Sequence, residues 1–298
     1  MKLGFALPLT DVGGDPAVVR DLAQTAEDLR YDFLAATDYV LGVNAASRPD
    51  WGKRNTSADF FHDPFVLFGF LSAVTRRVEF STEVLILAQR QTVLVAKQAA
   101  CLDILSGGRF RLGIGIGWNP VEFTGLNEHF GDRGKRSEEQ VEVMKALWAE
   151  RHVTFHGKWH TIEDAGINPL PSKGSVPLWY GGHNDLTLRR IAKWGDGWVM
   201  LTHEAGETAR AEFAKLHAYA QAEGRPKDAI GLGVWVSAVD NEEAWRREIQ
   251  SWKEAGVTHV TLNNTFGRYH HRRLPGRSLA EHLNAMQRYR AAVADLLP

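Results

Sequence analysis

Cysteine is all but missing, with Cys101 the single one among 298 residues. A lone thiol closes no internal disulfide. Its place in an apolar helical run predicts a buried, inert side chain in a reducing cytoplasm. No apolar run is long enough to span a bilayer as a helix. The opening Met1-Lys2-Leu3-Gly4-Phe5-Ala6 enters a strand pattern without the apolar segment and cleavage site of a secretion signal. Neither sign of charge dominates, since 35 Lys and Arg meet 36 Asp and Glu. No field therefore draws the chain to nucleic acid or to an anionic membrane, and a small molecule is the expected partner. Short-period repeats and low-complexity tracts are absent as well.

What is present is a regular alternation. Short apolar runs at 3–7, 33–36, 78–84, 110–114, 178–181, 197–201, 230–236 and 259–262 read as strands. Helical patterns fall near 16–30, 64–75, 92–106, 135–150, 184–194, 204–223, 241–255 and 278–296. Asp15-Pro16 and Asp63-Pro64 each supply a helix cap followed by a first-turn proline. Eight strand-then-helix units predict an α/β chain, a (β/α)8 TIM barrel forming one domain over 1–298. Two connections exceed what a bare barrel needs. One at 38–62 follows strand 2, and one at 151–176 follows the fourth helix, with Phe155-His156-Gly157-Lys158-Trp159 reading as a hairpin or flap.

The stretch 102–117 is the most informative. A helix should end at Ser106, where Gly107 and Gly108 can take the positive φ that stops it. Gly113, Gly115 and Gly117 then leave the end of strand 4 bare, so that another backbone or a flat ligand can approach. This alternation is not the dinucleotide fingerprint G-x-G-x-x-G, and no acidic residue follows at the distance that fingerprint requires. The site it points to lies at the carboxyl end of a parallel strand. Gly181-Gly182-His183-Asn184, before a helix, offers amides suited to a phosphate, with Asn184 as cap. His152, His156 and His160 recur every fourth residue, but the turn-like context keeps three imidazoles from converging, and no metal site is expected. Tyr269-His270-His271-Arg272-Arg273 reads as a solvated loop. Glu122, Arg133, Arg136 and Glu139 read as a polar network, with Glu122 placed to pair with Arg133. Asp196 should hold turn amides, and Trp198 should pack in the barrel.

In order and spacing these motifs resemble the luciferase-like family of flavin- and deazaflavin-dependent oxidoreductases. The likeness runs through Thr37-Asp38, Thr82-Glu83-Val84-Leu85, Ala96-Lys97-Gln98-Ala99 and Leu105-Ser106-Gly107-Gly108-Arg109. It continues through Gly115-Ile116-Gly117-Trp118, Glu122-Phe123, Arg133-Gly134-Lys135-Arg136, Gly181-Gly182 and Gly195-Asp196-Gly197-Trp198. Within the family it looks most like the branch of coenzyme F420-dependent oxidoreductases. The resemblance implies hydride transfer at C5 of the deazaflavin; the alternative is an FMN-dependent monooxygenase using reduced flavin and oxygen. It also implies a homodimer.

For single residues the resemblance implies the following. Asp38 and Tyr39 end strand 2, where Asp38 meets the ring edge and Tyr39, standing where relatives carry His, donates a proton. Glu83-Val84 occupies the place of a non-proline cis peptide behind the ring. Glu83 replaces a usually small residue and becomes a general acid if buried, or else pairs with Arg90 or Arg76. Gly115, Ile116, Gly117, Trp118 and Asn119 hold the cofactor's polar parts, Ile116 standing where luciferase-type relatives carry a phosphate-binding Arg. Gly181, Gly182, His183 and Asn184 meet the phosphate, and Leu201 and Thr202 are further cofactor contacts. Trp51, Phe60 and Phe61, on the loop after strand 2, offer apolar walls for substrate.

Overall fold

The structure, a computed structural model, describes residues 1–52 and 54–297. Eight parallel strands close on one another: β1 (Lys2–Ala6), β2 (Phe33–Ala36), β3 (Glu79–Thr82), β5 (Phe110–Gly115), β8 (Leu178–Gly181), β9 (Gly197–Met200), β10 (Gly231–Val236) and β11 (His259–Leu262). β1 pairs with both β2 and β11, and β3 with both β2 and β5, which completes the ring. A two-residue strand, β4 (Leu85–Ile86), adds to the end of β5. The flap is an antiparallel hairpin of β6 (Val153–His156) and β7 (Thr161–Ala165).

The helices are α1 (Leu9–Val12), α2 (Pro16–Asp28), α3 (Pro64–Val74), α4 (Thr92–Ser106), α5 (Pro120–Gly125), α6 (Arg133–Ala149), α7 (Asp185–Trp194), α8 (Glu207–Ala222), α9 (Glu242–Glu254) and α10 (Leu279–Ala292). Their starts follow local chemistry. Asp15 accepts from the amide of Ala17, and Asp63 from those of Phe65 and Val66, with proline next in each case. Ser278 and Glu281 form a reciprocal capping box at α10. Gly107, at φ 71°, ends α4.

The expected (β/α)8 barrel is therefore present, with several corrections. The third strand stops at Thr82 and resumes as β4, on either side of a cis peptide between Glu83 and Val84. The last helix ends at Ala292, short of 296. Cys101 is half-exposed and not buried. Trp198 is buried outside the barrel, edge-on to Phe213 of α8, because Gly197 and Val199 take the inward positions of β9. The run 269–273 is no solvated loop, for His271 is buried beside Trp235 and Arg273 pairs with Asp11.

Inside the barrel the lower layer is unusual. Arg111 lies buried between the rings of Phe33 and Trp179, its guanidinium carbon 4.3 and 4.7 Å from their centroids. The Trp179 indole rests on bare backbone, where a Cβ on Gly197 would come within 2.2 Å of the ring and one on Gly231 within 2.6 Å. Arg111 donates to the Ser81 hydroxyl at 3.0 Å and lies 4.0 Å from Glu79, which pairs with Lys2 at 2.6 Å.

Candidate active site

The carboxyl ends of the strands build the site, and the centre of it is Glu83. Its backbone N–H still bonds to Ala36 O at 2.8 Å, extending the β2 pairing by one residue. The side chain crosses the barrel axis. Oε2 accepts from Trp235 Nε1 at 2.6 Å, and Oε1 lies 3.1 Å from the Thr261 hydroxyl. Neither Arg90 nor Arg76 is its partner. Burial raises the Glu83 carboxyl above the usual range, while Arg111, Trp235 and Thr261 pull it back. Val84, beside it, is partly exposed. Its methyl groups sit against the bare backbones of Gly115 and Gly181, where added Cβ atoms would come within 2.6 and 2.9 Å. The glycines at the ends of β5 and β8 thus seat the valine.

Asp38 is buried, and both its oxygens are used within the chain. Oδ1 accepts from Arg90, and Oδ2 from the Ile86 amide at 2.9 Å and again from Arg90. Arg90 reaches on to Asp63, the cap of α3, at 2.9 Å. This clasp joins the end of β2, the β4 segment and the start of α3. Burial raises the Asp38 carboxyl against the pull of Arg90. Tyr39 packs on Phe61 with ring centroids 4.3 Å apart, and burial raises its phenol. Phe61 stacks on Phe266, and Phe266 on Trp235, with centroids 6.4 and 6.2 Å apart. An aromatic row thus runs from the strand 2 exit to the Glu83 partner.

The outer wall is Trp51 against Trp118, 5.5 Å between ring centroids, with Arg54 over both rings. Phe60 stands apart, edge-on to His62. Asn119 caps α5 through Val121 N, and Gly117 O accepts from Arg133. Glu122 does not pair with Arg133; it accepts from the amides of Val40 and Leu41, tying the strand 2 loop to α5. Glu139 receives the amides of Lys158, Trp159 and His160 and so anchors the flap. His160 is spent on Glu139 and Thr92, and among the described residues no three ligating side chains share a metal-sized site.

At the β8 exit, Gly182 has φ 113° and its carbonyl accepts from Trp198 Nε1 at 2.7 Å. Asn184 caps α7 through Thr187. His183 meets Tyr269 edge-on. A cavity of about 10 Å³, the room of one water, lies between Ile114, Gly115, Ile116, Ser137, Tyr180, Gly181, Thr187 and Arg190. Among the described residues the Tyr180 hydroxyl in its wall is buried without a partner, as are Thr202 Oγ1 and Asn264 Nδ2. Leu201 O accepts from His271 at 3.0 Å. Sequence reasoning passed over Trp235, Thr261, Phe266 and Arg111. For the two strand residues that bond Glu83 a signal existed, since Trp235 and Thr261 share the inward parity of β10 and β11 close to their carboxyl ends.

Comparison with known proteins agrees with this architecture. The profile of the luciferase-like monooxygenases matches residues 2–296. A protein of Mycobacterium tuberculosis, described as uncharacterized, is 37% identical over 204 residues, 67% of this chain and 69% of that one. Pyrimidine monooxygenase RutA of Allorhizobium ampelinum is 28% identical over 265 residues, 83% of this chain and 70% of that one. Among solved structures, an F420-dependent secondary alcohol dehydrogenase in complex with an F420-acetone adduct superposes with TM-score 0.78 at 18% identity, covering 100% of this chain and 99% of that one. A barrel whose glycine-bared strand ends surround an inward carboxylate, matched by one family profile almost from end to end, belongs to the luciferase-like monooxygenase family.

Proposed function

We propose that the chain is an F420-dependent oxidoreductase, moving a hydride between C5 of the deazaflavin and a small organic substrate. The observation that carries this reading is the Val84 shelf on Gly115 and Gly181, an apolar seat for a flat ring. Polar atoms buried without partners among the described residues at the ends of β9 and β11, Thr202 Oγ1 and Asn264 Nδ2, fit a ring with polar edges. When bound, the deazaflavin supplies the hydride chemistry. The protein positions it and handles protons.

In this reading the backbone from Gly115 through Ile116, Gly117 and Trp118 to Asn119 borders the cofactor. Gly181, Gly182, His183 and Asn184 receive its phosphate at the start of α7, and Leu201 and Thr202 close the far side. Asp38 acts through its clasp, fixing the segment that carries Glu83 and Val84. Trp51 and Phe61 wall the substrate, and Phe60, set apart beside His62, does not join them. Tyr39 and Glu83 hold the protons. A single thiol and no disulfide suit the reducing cytoplasm.

The test is fluorescence titration of the purified protein with F420 and with FMN, side by side at one ionic strength. Tight binding of F420 alone supports the reading and directs the search to alcohols, imines and electron-poor alkenes. Preferential FMN binding overturns it in favour of a second reading, an FMN-dependent monooxygenase consuming oxygen, which the monooxygenase RutA among the relatives supports.

The chain also carries a face suited to a second copy of itself. Val66 and Phe70 of α3 and Val93, Leu94, Ile104 and Leu105 of α4 expose their side chains, Leu105 at 72% and Val66 at 70%. An apolar face on two neighbouring helices is self-complementary in a two-fold dimer. Sedimentation of wild type and Leu105→Glu tests this reading, which expects a dimer and a monomer respectively.

A further inference from the structure

A column of alternating charge runs up the barrel interior beneath the shelf. Lys2, Glu79 and Arg111 occupy its lower part, with 2.6 Å between the first pair and 4.0 Å between the second. Glu83 stands above, two residues beyond Ser81, which pairs in register with Arg111. Arg111 Nη2 is buried with no partner among the described residues, on a residue whose Nε is taken by Ser81. The two atoms that touch the Glu83 carboxylate differ in kind. Trp235 Nε1 can only donate, so Oε2 can only accept. The Thr261 hydroxyl donates or accepts. A proton on Glu83 therefore belongs on Oε1, where Thr261 turns to receive it.

We propose that Glu83 is a charge-compensating group, ionised while the bound ring is oxidised and protonated on Oε1 when the ring is reduced. This deepens the cofactor reading above and rests on it. Reduction breaks a substrate C–H bond, and its hydrogen and electron pair pass to the ring as hydride. The substrate is oxidised by two electrons and releases its O–H or N–H proton to solvent, so that it leaves neutral, and the ring would become one unit more negative. Two negative charges at close range in a water-poor site repel strongly. Glu83 takes one proton from solvent, and the net charge of the site is unchanged.

Opposed forces leave the carboxyl able to move either way. Burial favours its neutral form, while Trp235, Thr261 and Arg111 favour the anion. The charged and titratable groups around it are Arg111 from β5, Glu79 from β3, Lys2 from β1, His259 from β11 and, behind Trp235, His271, whose imidazole burial pushes down to about 4. His259 is held neutral, its imidazole pushed down to about 2 by burial and by Arg111. Glu83 is thus left, next to Val84 in the chain, to take the proton.

The experiment is spectroelectrochemical titration of the FMN-loaded and the F420-loaded protein across the neutral pH range, in wild type and Glu83→Gln. Wild type should bind one more proton per two electrons than the variant, steepening the fall of potential by about 30 mV per pH unit. Thr261→Val leaves the carboxyl in place but removes a hydroxyl that bonds both its forms; the charge-assisted bond to the anion is the stronger, so the steeper region should move to higher pH. Equal slopes in wild type and Glu83→Gln, or an unmoved region in Thr261→Val, overturn the proposal while leaving the cofactor reading intact. Failure of both cofactors to bind overturns that reading and this one with it.

Discussion

Trp235 Nε1 donates to Glu83 Oε2 at 2.6 Å, joining residues 152 positions apart across the barrel axis. Among the described residues no other side-chain N–H reaches this carboxylate, whose second oxygen is served by the Thr261 hydroxyl. Trp235→Phe keeps an aromatic ring beside Phe266 but removes the N–H together with part of the indole, so a cavity term adds to the loss of the bond. The buried oxygen then has no donor, and the expected loss is about 1–3 kcal/mol. Urea unfolding of the two proteins measures it; an unchanged midpoint and slope would show that the bond contributes nothing.

Glu83 should also shape the pH dependence of stability. Its folded pKa is raised above the ordinary 4.5, so the folded protein binds this proton more tightly than the unfolded chain. The stability it contributes is complete below that ordinary value and is lost as pH rises through the folded pKa. Glu83→Gln keeps an oxygen for Trp235 and never ionises. Its stability relative to wild type should therefore rise with pH over that window, read from unfolding at matched ionic strength. A constant difference sinks the prediction.

The Asp38–Arg90 clasp gives a larger effect. Arg90→Met strands a buried carboxylate, and breaking such a pair costs about 3–5 kcal/mol. Adding Asp38→Asn to that background should recover most of the loss. A double-mutant cycle with no coupling between the two positions would contradict the geometry.

Much of the fold is legible in the sequence because each strand and helix carries its own local signal. Asp15-Pro16 and Asp63-Pro64 announce helices that then form where expected. Parallel strands are buried on both faces, however, so alternation in polarity does not say which side faces the axis. That is why the sequence pattern puts Trp198 in the barrel while Val199 is the residue that points inward. The same ambiguity hid Trp235 and Thr261. The run 269–273 failed for another reason: its partners are remote, Arg273 meeting Asp11 from 262 positions away. Charge and length alone report a solvated loop there.

The shelf offers a test by compensation. Gly115→Ala puts a Cβ within 2.6 Å of Val84 and should cost about 1–3 kcal/mol by overpacking. It should also weaken binding of the ring, because the seat shifts. Val84→Ala in the same chain removes the colliding methyl groups and should restore stability. Calorimetry of the three variants checks this, and an additive result would place the glycine's constraint elsewhere.

The indole of Trp179, lying on Gly197 and Gly231 with Arg111 over its other face, makes four positions on four strands a single inherited unit. Any one of them changed alone meets a collision or a void. A library built from single substitutions would therefore record each as immovable, although the group can drift if its members change together. Descendants of this barrel should exchange the set wholesale, so that an alanine at position 197 travels with a smaller residue at 179.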